Sequence, residues 1–503
     1  MEKLRDLPLF VCFIFATALA MLVPAGAGFG TGDSASGQGF LFAAIVTGIC
    51  ASFVAIATSG RDAARSGRNH LITILASFVC LPAIAAFPVM NAVAGVSFGD
   101  AYFEMLSALT TTGATILDDP GALPLAVNFW RSLVGWLGGF LILLAAFSIL
   151  EPMRLGGFEL QANTFGGRLG NSDIRSRHRG APMLILRTAA QIWPIYMGAT
   201  GLLTFLLIVF GEDGFVAMCH AMAILSTSGI SPIGGLAEAQ SGFAGEVAIL
   251  LFFGLALTHR AYSDRWRQTT QDRNSIDKEV KLAIIISLSI TFLVFARHFA
   301  LSLDLGAPDP AAALRALWGI LFTLVSFLTT TGFESGNWAI VPDWSGASVT
   351  GLVLLSVAVI GGGIATTAGG VKLLRVYALY MHGKREMERL VHPSSVGGLG
   401  TTARQVRREG AYIAWMFLMI FFLSIGVGAM LLALLGLDFE ASLIMTVATL
   451  ANTGPLIGYF GPDIPRYDAL SGDARMVLNG LMVLGRMEAL AVIALLNPEY
   501  WRR

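Results

Sequence analysis

Four short polar turns interrupt an otherwise apolar chain: "LTTTGAT" around Gly113, "LSTSGIS" around Gly229, "LTTTGFE" around Gly332 and "ANTGPLIG" around Gly454. These residue types offer oxygen and little else. Threonine, serine and asparagine supply side-chain oxygens, and glycine lets the backbone adopt conformations that turn its neighbours' carbonyls toward an axis. The chemistry that such groups suit is replacement of the water around a monovalent cation by a ring of carbonyls. Without that replacement, a bare ion in a low-dielectric slab costs on the order of tens of kcal/mol. A single Thr-Thr-Thr-Gly is an ordinary C-terminal helix stop. Four copies, about 100 to 120 residues apart, exceed what packing alone requires.

The elements that must hold these turns are legible around them. Each turn follows a short apolar segment that begins near an aspartate, Asp100, Asp213, Asp309 or Asp438, and Pro310 stands just after Asp309. Aspartate is a favoured helix cap and proline a favoured first-turn residue, so each segment reads as a half-helix whose partly negative C-terminus aims at the turn. The segments are too brief to cross a bilayer at about 1.5 Å per residue. Irregular backbone at that depth survives only inside protein or along a watery cavity, which makes these re-entrant hairpins.

The whole chain fits a membrane setting. It has 503 residues, 55% hydrophobic and 13% charged, with a mean hydropathy of +0.70, whereas soluble domains carry about a quarter charged residues. Lysine plus arginine and aspartate plus glutamate each number 33, so net charge points to no nucleic-acid or acidic partner. Apolar windows near spanning length fall at about 8 to 27, 40 to 58, 71 to 90, 126 to 149, 184 to 210, 243 to 258, 282 to 300, 349 to 380, 411 to 435 and 476 to 496. The first could also serve as a signal; its length favours a retained helix.

Basic residues alternate between connections. Arg61, Arg65 and Arg68 follow the second window, and Arg154, Arg168, Arg175, Arg177 and Arg179 the fourth. Arg260, Arg265, Arg267, Arg273 and Lys278 follow the sixth; Lys384, Arg385, Arg389, Arg404, Arg407 and Arg408 the eighth; Arg502 and Arg503 end the chain. This pattern places those connections and both termini in the cytoplasm and the four turns on the opposite side. The cysteines Cys12, Cys50, Cys80 and Cys219 lack metal-type spacing and read as small core hydrophobes.

With the four turns, "FWRSLVGWLGG", "GGGIATTAGGVKLLRV" and the ending "LGRMEALAVIALLNPEYWR", the chain resembles the Trk/Ktr/HKT potassium transporters, most closely the TrkH type, over nearly its whole length. The resemblance implies an all-α polytopic membrane protein of the bacterial inner membrane, with four pseudo-symmetric span, half-helix, turn and span units around one pore. The units would be residues 61–180, 181–275, 276–400 and 401–503, preceded by a two-helix extension, 1–60. It implies a homodimer, a cytoplasmic nucleotide-binding ring such as TrkA, and no cofactor in this chain.

Family members with serine for the first filter glycine tend toward sodium; here all four positions are glycine. The resemblance therefore implies potassium, ligated by the carbonyls of Thr111, Thr112, Gly113, Thr227, Ser228, Gly229, Thr330, Thr331, Gly332, Asn452, Thr453 and Gly454. It also implies a gate at Gly361, Gly362, Gly363, Ala365, Thr366, Thr367, Gly369, Gly370 and Lys372. The residues themselves favour a break there, since glycine costs about 1 kcal/mol relative to alanine in a helix. Close packing of helices through small residues is the alternative, and Ala365 and Ala368 stand where the family often has glycine or serine. Lys372 also suits an interfacial anchor.

Arg486 lies inside the last window, where a charge is expensive and marks function. The resemblance puts it beside the pore below the filter; a pair with Glu488 is the structural alternative. Asp118, Asp119, Glu334 and Asp343 could concentrate cations at the mouth, while Glu104 and His220 read as structural. The basic segment Arg154 to Gly180 lacks a phosphate-binding Gly-Lys-Ser/Thr and suits either the regulatory ring or anionic lipid. An enzyme would need clustered carboxylates or histidines near an interface, and none appears. A sodium- or proton-coupled symporter of the same fold remains the alternative mechanism.

Overall fold

The computed structural model describes residues 9–58, 67–117, 119–150, 181–262, 277–304, 309–345, 351–391 and 401–487. Its regular elements are all helical among the described residues. In chain order they are α1 Leu9–Gly30, α2 Ser34–Thr58, α3 Gly67–Ala92, α4 Phe98–Leu109, α5 Leu125–Ala145, α6 Ala181–Val209, α7 Gly214–Ser226 and α8 Gly242–Leu257. There follow α9 Lys278–Asp304, α10 Pro310–Leu328, α11 Gly351–Ile360, α12 Leu373–Val391, α13 Thr401–Leu434, α14 Phe439–Leu450 and α15 Gly472–Met487. Short single-turn pieces fill some of the connections.

Eight of the described helices are long and apolar enough to cross a membrane. Seven coincide with apolar windows of the sequence: α1, α2, α3, α5, α6, α9 and α13. The eighth is α10, which the sequence makes a brief half-helix. It runs 19 residues because Asp309 accepts the Ala311 amide and Pro310 starts the helix early, whereas α4 and α14 have 12. The 349 to 380 window is not one span: it divides into α11 and α12 around an irregular stretch from Gly361 to Lys372. The 243 to 258 window forms a 16-residue helix, and the last window is described only to Met487.

Packing follows from what each helix face carries. Outer faces expose large apolar side chains such as Phe53, Phe205, Phe292 and Leu423, as expected where lipid is the solvent. Inner faces gather into four large buried apolar clusters, each containing one of the short helices that precede a turn: α4, α7, α10 or α14. The pair α1 and α2 packs against α3 and α5. Two of the cysteines differ from the sequence reading. Cys219 is buried, but Cys50 and Cys80 lie on outward faces, where an apolar setting needs no core position.

The caps also differ in detail. Ser97, not Asp100, caps α4; Asp100 sits at the third helical position and completes a capping box. Asp213 caps α7 by accepting the Phe215 and Val216 amides. Asp438 holds the corresponding place before α14 without a side-chain bond. The basic segment 154–180, Arg61, Arg65, Asp118, Glu488 and the terminal Arg502 and Arg503 lie outside the described residues, as does the side chain of Asp343.

Candidate functional site

All four turns stop their helices by the same hydrogen-bond pattern. One amide reaches back five residues: Thr112 to Ser107 (2.8 Å), Ser228 to Ala223 (2.9 Å), Thr331 to Ser326 (2.9 Å) and Thr453 to Ala448 (2.8 Å). The preceding amide reaches back three: Thr111 to Ala108, Thr227 to Ile224, Thr330 to Phe327 and Asn452 to Thr449. This is a Schellman stop, which requires a left-handed residue just past the helix. Here that residue is never glycine. Thr111, Thr227, Thr330 and Asn452 take φ of 50°, 55°, 58° and 54°, a conformation that asparagine tolerates but that is an outlier for the three β-branched threonines and costs about 1–3 kcal/mol at each of them. All four are fully buried, so the surrounding packing holds them there.

The side chains lock the same backbone. Thr110 bonds Thr112 (2.9 Å), Ser226 bonds Ser228 (3.0 Å) and Thr329 bonds Thr331 (3.1 Å), hydroxyl to hydroxyl. The fourth turn has Ala451 at that place. Instead, the Asn452 amide crosses to the Thr112 hydroxyl (2.9 Å).

The turns also close on one another in chain order. A methyl group built on Gly113 would run into the carbonyl oxygen of Ser228, and one on Gly229 into that of Thr331. One on Gly332 would press on the Pro455 ring, and one on Gly454 would meet the backbone of Gly113 and Ala114. The Gly454 amide donates to the Thr112 carbonyl at 2.6 Å, which fastens the seam between last and first turns. Gly113, Gly229 and Gly332 have φ of +73°, +64° and +81°, whereas Gly454 lies outside the left-handed region. A cavity of about 340 Å³ adjoins Gly113, Gly229, Gly454 and Pro455.

A second layer braces this ring. Glu104 of α4 pairs with Arg131 of α5 (2.6 Å) and accepts the Thr115 hydroxyl and the Ile116 amide, gripping the chain just past the first turn. Both charges are buried. Removing one partner of a buried pair typically costs about 3–5 kcal/mol. Arg131→Met is therefore expected to lower the free energy of unfolding in detergent by about 3–5 kcal/mol; an unchanged stability would show that the pair contributes none. His220 of α7 bonds Ser231, past the second turn (2.9 Å). Past the third, Glu246 accepts the Trp318 indole, the Ser335 hydroxyl and the Gly336 amide. Glu334 accepts the Tyr459 hydroxyl, and Tyr467 donates to the Gly454 carbonyl, both at 3.0 Å. Sequence reasoning missed Glu246 and Tyr467. A lone acid inside the apolar 243 to 258 window was the available signal for Glu246.

On the other side of the ring lies the irregular stretch 361–372. Ala365 and Lys372 take φ of 51° and 82°, and Gly361 and Gly370 take 72° and 76°. The stretch touches the second, third and fourth turns or the helix ends behind them. Thr367 donates to the Leu225 carbonyl (3.2 Å), the Gly369 amide donates to the Thr330 hydroxyl (2.7 Å), and Gly369 abuts the Ala451 carbonyl. Arg486 supplies the link to the first turn: it donates to Thr110, to both the carbonyl (3.2 Å) and hydroxyl of Thr111, and to the Thr367 carbonyl (2.6 Å). All of these partners are neutral oxygens. Lys372 is buried and donates to the Ala368 carbonyl, so it is not an exposed anchor.

Comparison with known proteins bears on this arrangement. Residues 281–502 match the family model described as TrkH, cation transport protein. The potassium uptake protein TrkH of Escherichia coli K12 is 29% identical over 453 residues, 87% of this chain and 86% of that one. The TrkH of Halomonas elongata is 29% identical over 441 residues, 86% and 84% of the two chains. The chain is thus similar to TrkH cation transport proteins, through a family model over its C-terminal part and through relatives along most of its length. TrkH from Vibrio parahaemolyticus, a potassium transporter known from its crystal structure, shares the fold with a TM-score of 0.76 across 100% of both chains at 24% identity. The eight long apolar helices described above fit a multi-pass membrane protein, as the cation transport proteins it resembles would require.

Proposed function

We propose that this chain takes up potassium across a bacterial inner membrane through the ring of four turns, one in each of the repeats 61–180, 181–275, 276–400 and 401–503. The observation that carries the proposal is the closed succession of four identical helix stops, each ending in buried threonine, serine or asparagine next to a glycine. A Schellman stop turns its own amides back into the helix, which leaves backbone oxygens as the groups able to face a cation. The twelve carbonyls from Thr111–Gly113, Thr227–Gly229, Thr330–Gly332 and Asn452–Gly454 form the filter in this reading. Rigid bracing from behind favours one cavity size over another, and potassium is the ion named for the related uptake proteins.

The stretch 361–372 serves as the gate. It is bonded to the inner side of the ring, and it contains enough glycine to change shape. The protein acts as a homodimer in the lipid bilayer with both termini cytoplasmic, and a nucleotide-binding ring of the TrkA type moves the gate.

Purified protein in liposomes tests the core of this proposal. Rubidium or potassium is expected to enter faster than sodium and faster than into protein-free vesicles. Equal entry of the two ions would remove the selectivity assignment, and no entry above background would remove the transport assignment.

A further inference from the structure

The gate stretch is held from the cytoplasmic side by two consecutive amides gripped by two different helices. Gly363 donates to the Ala256 carbonyl in the last turn of α8 (3.0 Å). Ile364 donates to the carboxylate of Glu279 in the first turn of α9 (2.9 Å). Glu279 is buried. A carboxylate in that position is favoured by the positive end of its own helix, and a charged acceptor makes a stronger bond than a neutral one. The approach is close enough to demand glycine, since a methyl group on Gly363 would fall 2.5 Å from the Leu257 carbonyl oxygen. The two helices are themselves fastened at the same level: Asp277 accepts the Thr258 hydroxyl (2.8 Å) and pairs with Arg260 (3.3 Å).

We infer that Glu279 is the positioning residue that latches the 361–372 stretch closed, and that separation of the α8 exit from the α9 start at the cytoplasmic face releases it. The inference rests on the gate reading above. The other ties of the stretch run to the ring itself, through Leu225, Thr330 and Arg486. Ala256 and Glu279 tie it to two further helices, α8 and α9, whose facing ends flank a connection that the basic residues place in the cytoplasm, which makes this grip a place where an outside force enters.

The test compares Glu279→Ala, Glu279→Gln and deletion of Gly363 to Gly369, each as full-length protein in liposomes. Glu279→Ala leaves the Ile364 amide buried without its acceptor and is expected to raise basal rubidium flux by about tenfold, the size of one hydrogen bond to a charged group. Glu279→Gln keeps an oxygen at the acceptor position and should fall well below the alanine variant. Hydrogen exchange adds a local readout: amides of the gate stretch should exchange faster in Glu279→Ala while those of α4, α7, α10 and α14 do not change. In the unsubstituted protein the Ile364 amide should be protected, a measurement that stands even if the alanine variant does not fold. Flux that rises on deletion but not in Glu279→Ala would overturn the latch and leave the gate standing. Flux that rises in neither would overturn the gate reading and the latch together. Rapid exchange at Ile364 in the unsubstituted protein would overturn the latch alone.

Discussion

Gly113→Ser is expected to lower the preference for potassium over sodium by about tenfold, the effect of displacing a single well-aligned ligand, with a fall in maximal potassium flux. Two costs coincide at this position. The backbone φ of +73° disfavours any side chain, and the new Cβ would collide with the Ser228 carbonyl oxygen. A backbone oxygen cannot step aside alone, so the first and second turns must part and the ring must open there. At Gly332 the neighbour is the Pro455 ring at 3.0 Å, a side chain that can yield, and Gly332→Ser should cost less selectivity. Gly458, in the same segment as the fourth turn, has open space around its Cα, so Gly458→Ala is the neutral comparison. Reversal potentials or competing rubidium and sodium uptake would measure all three. Gly113→Ser with unchanged selectivity, or Gly332→Ser more damaging than Gly113→Ser, would contradict the ring as the selective element.

Why the turns could be read from the sequence, and their bracing could not, is a matter of range. Each turn is a local signal of helix, hydroxyl run and glycine, and its fourfold recurrence lifts it above an ordinary helix stop. The break at Gly361 was equally local, because glycine density by itself disfavours a helix. The left-handed residues were hidden, since glycine is the type expected at such positions and the chain places threonine and asparagine there instead. Gly454 shows the converse: it needs no positive φ, and what it needs is room beside Ala114, on a turn more than 300 residues away. Glu104 meets Arg131 across 27 residues and Glu246 meets Ser335 across 89, pairings that only the packed helices bring about. For α10 the start at Asp309 and Pro310 was legible, and the 19 residues from there to Leu328 exceed the half-helix length that its likeness to the other three segments suggests.

Arg486→Ala should raise cation flux. The guanidinium donates to the Thr111 carbonyl, one of the proposed filter ligands, so a cation arriving at that level meets a fixed positive charge on an oxygen it must share. At a separation of about 5 Å and an effective dielectric constant of about 20, the repulsion is about 3 kcal/mol, which bounds the gain at on the order of a hundredfold. Water entering the vacated space screens part of it, so about tenfold is the expected result. Arg486→Lys separates charge from shape: it keeps the positive charge but cannot span Thr110, Thr111 and Thr367 together as the planar fork does. If charge is the barrier, the lysine variant stays slow while the alanine variant conducts. If the fork's grip on Thr367 is the barrier, through the tie it makes to the gate stretch, both variants conduct faster. A folded alanine variant with unchanged flux would remove Arg486 from the conduction path altogether.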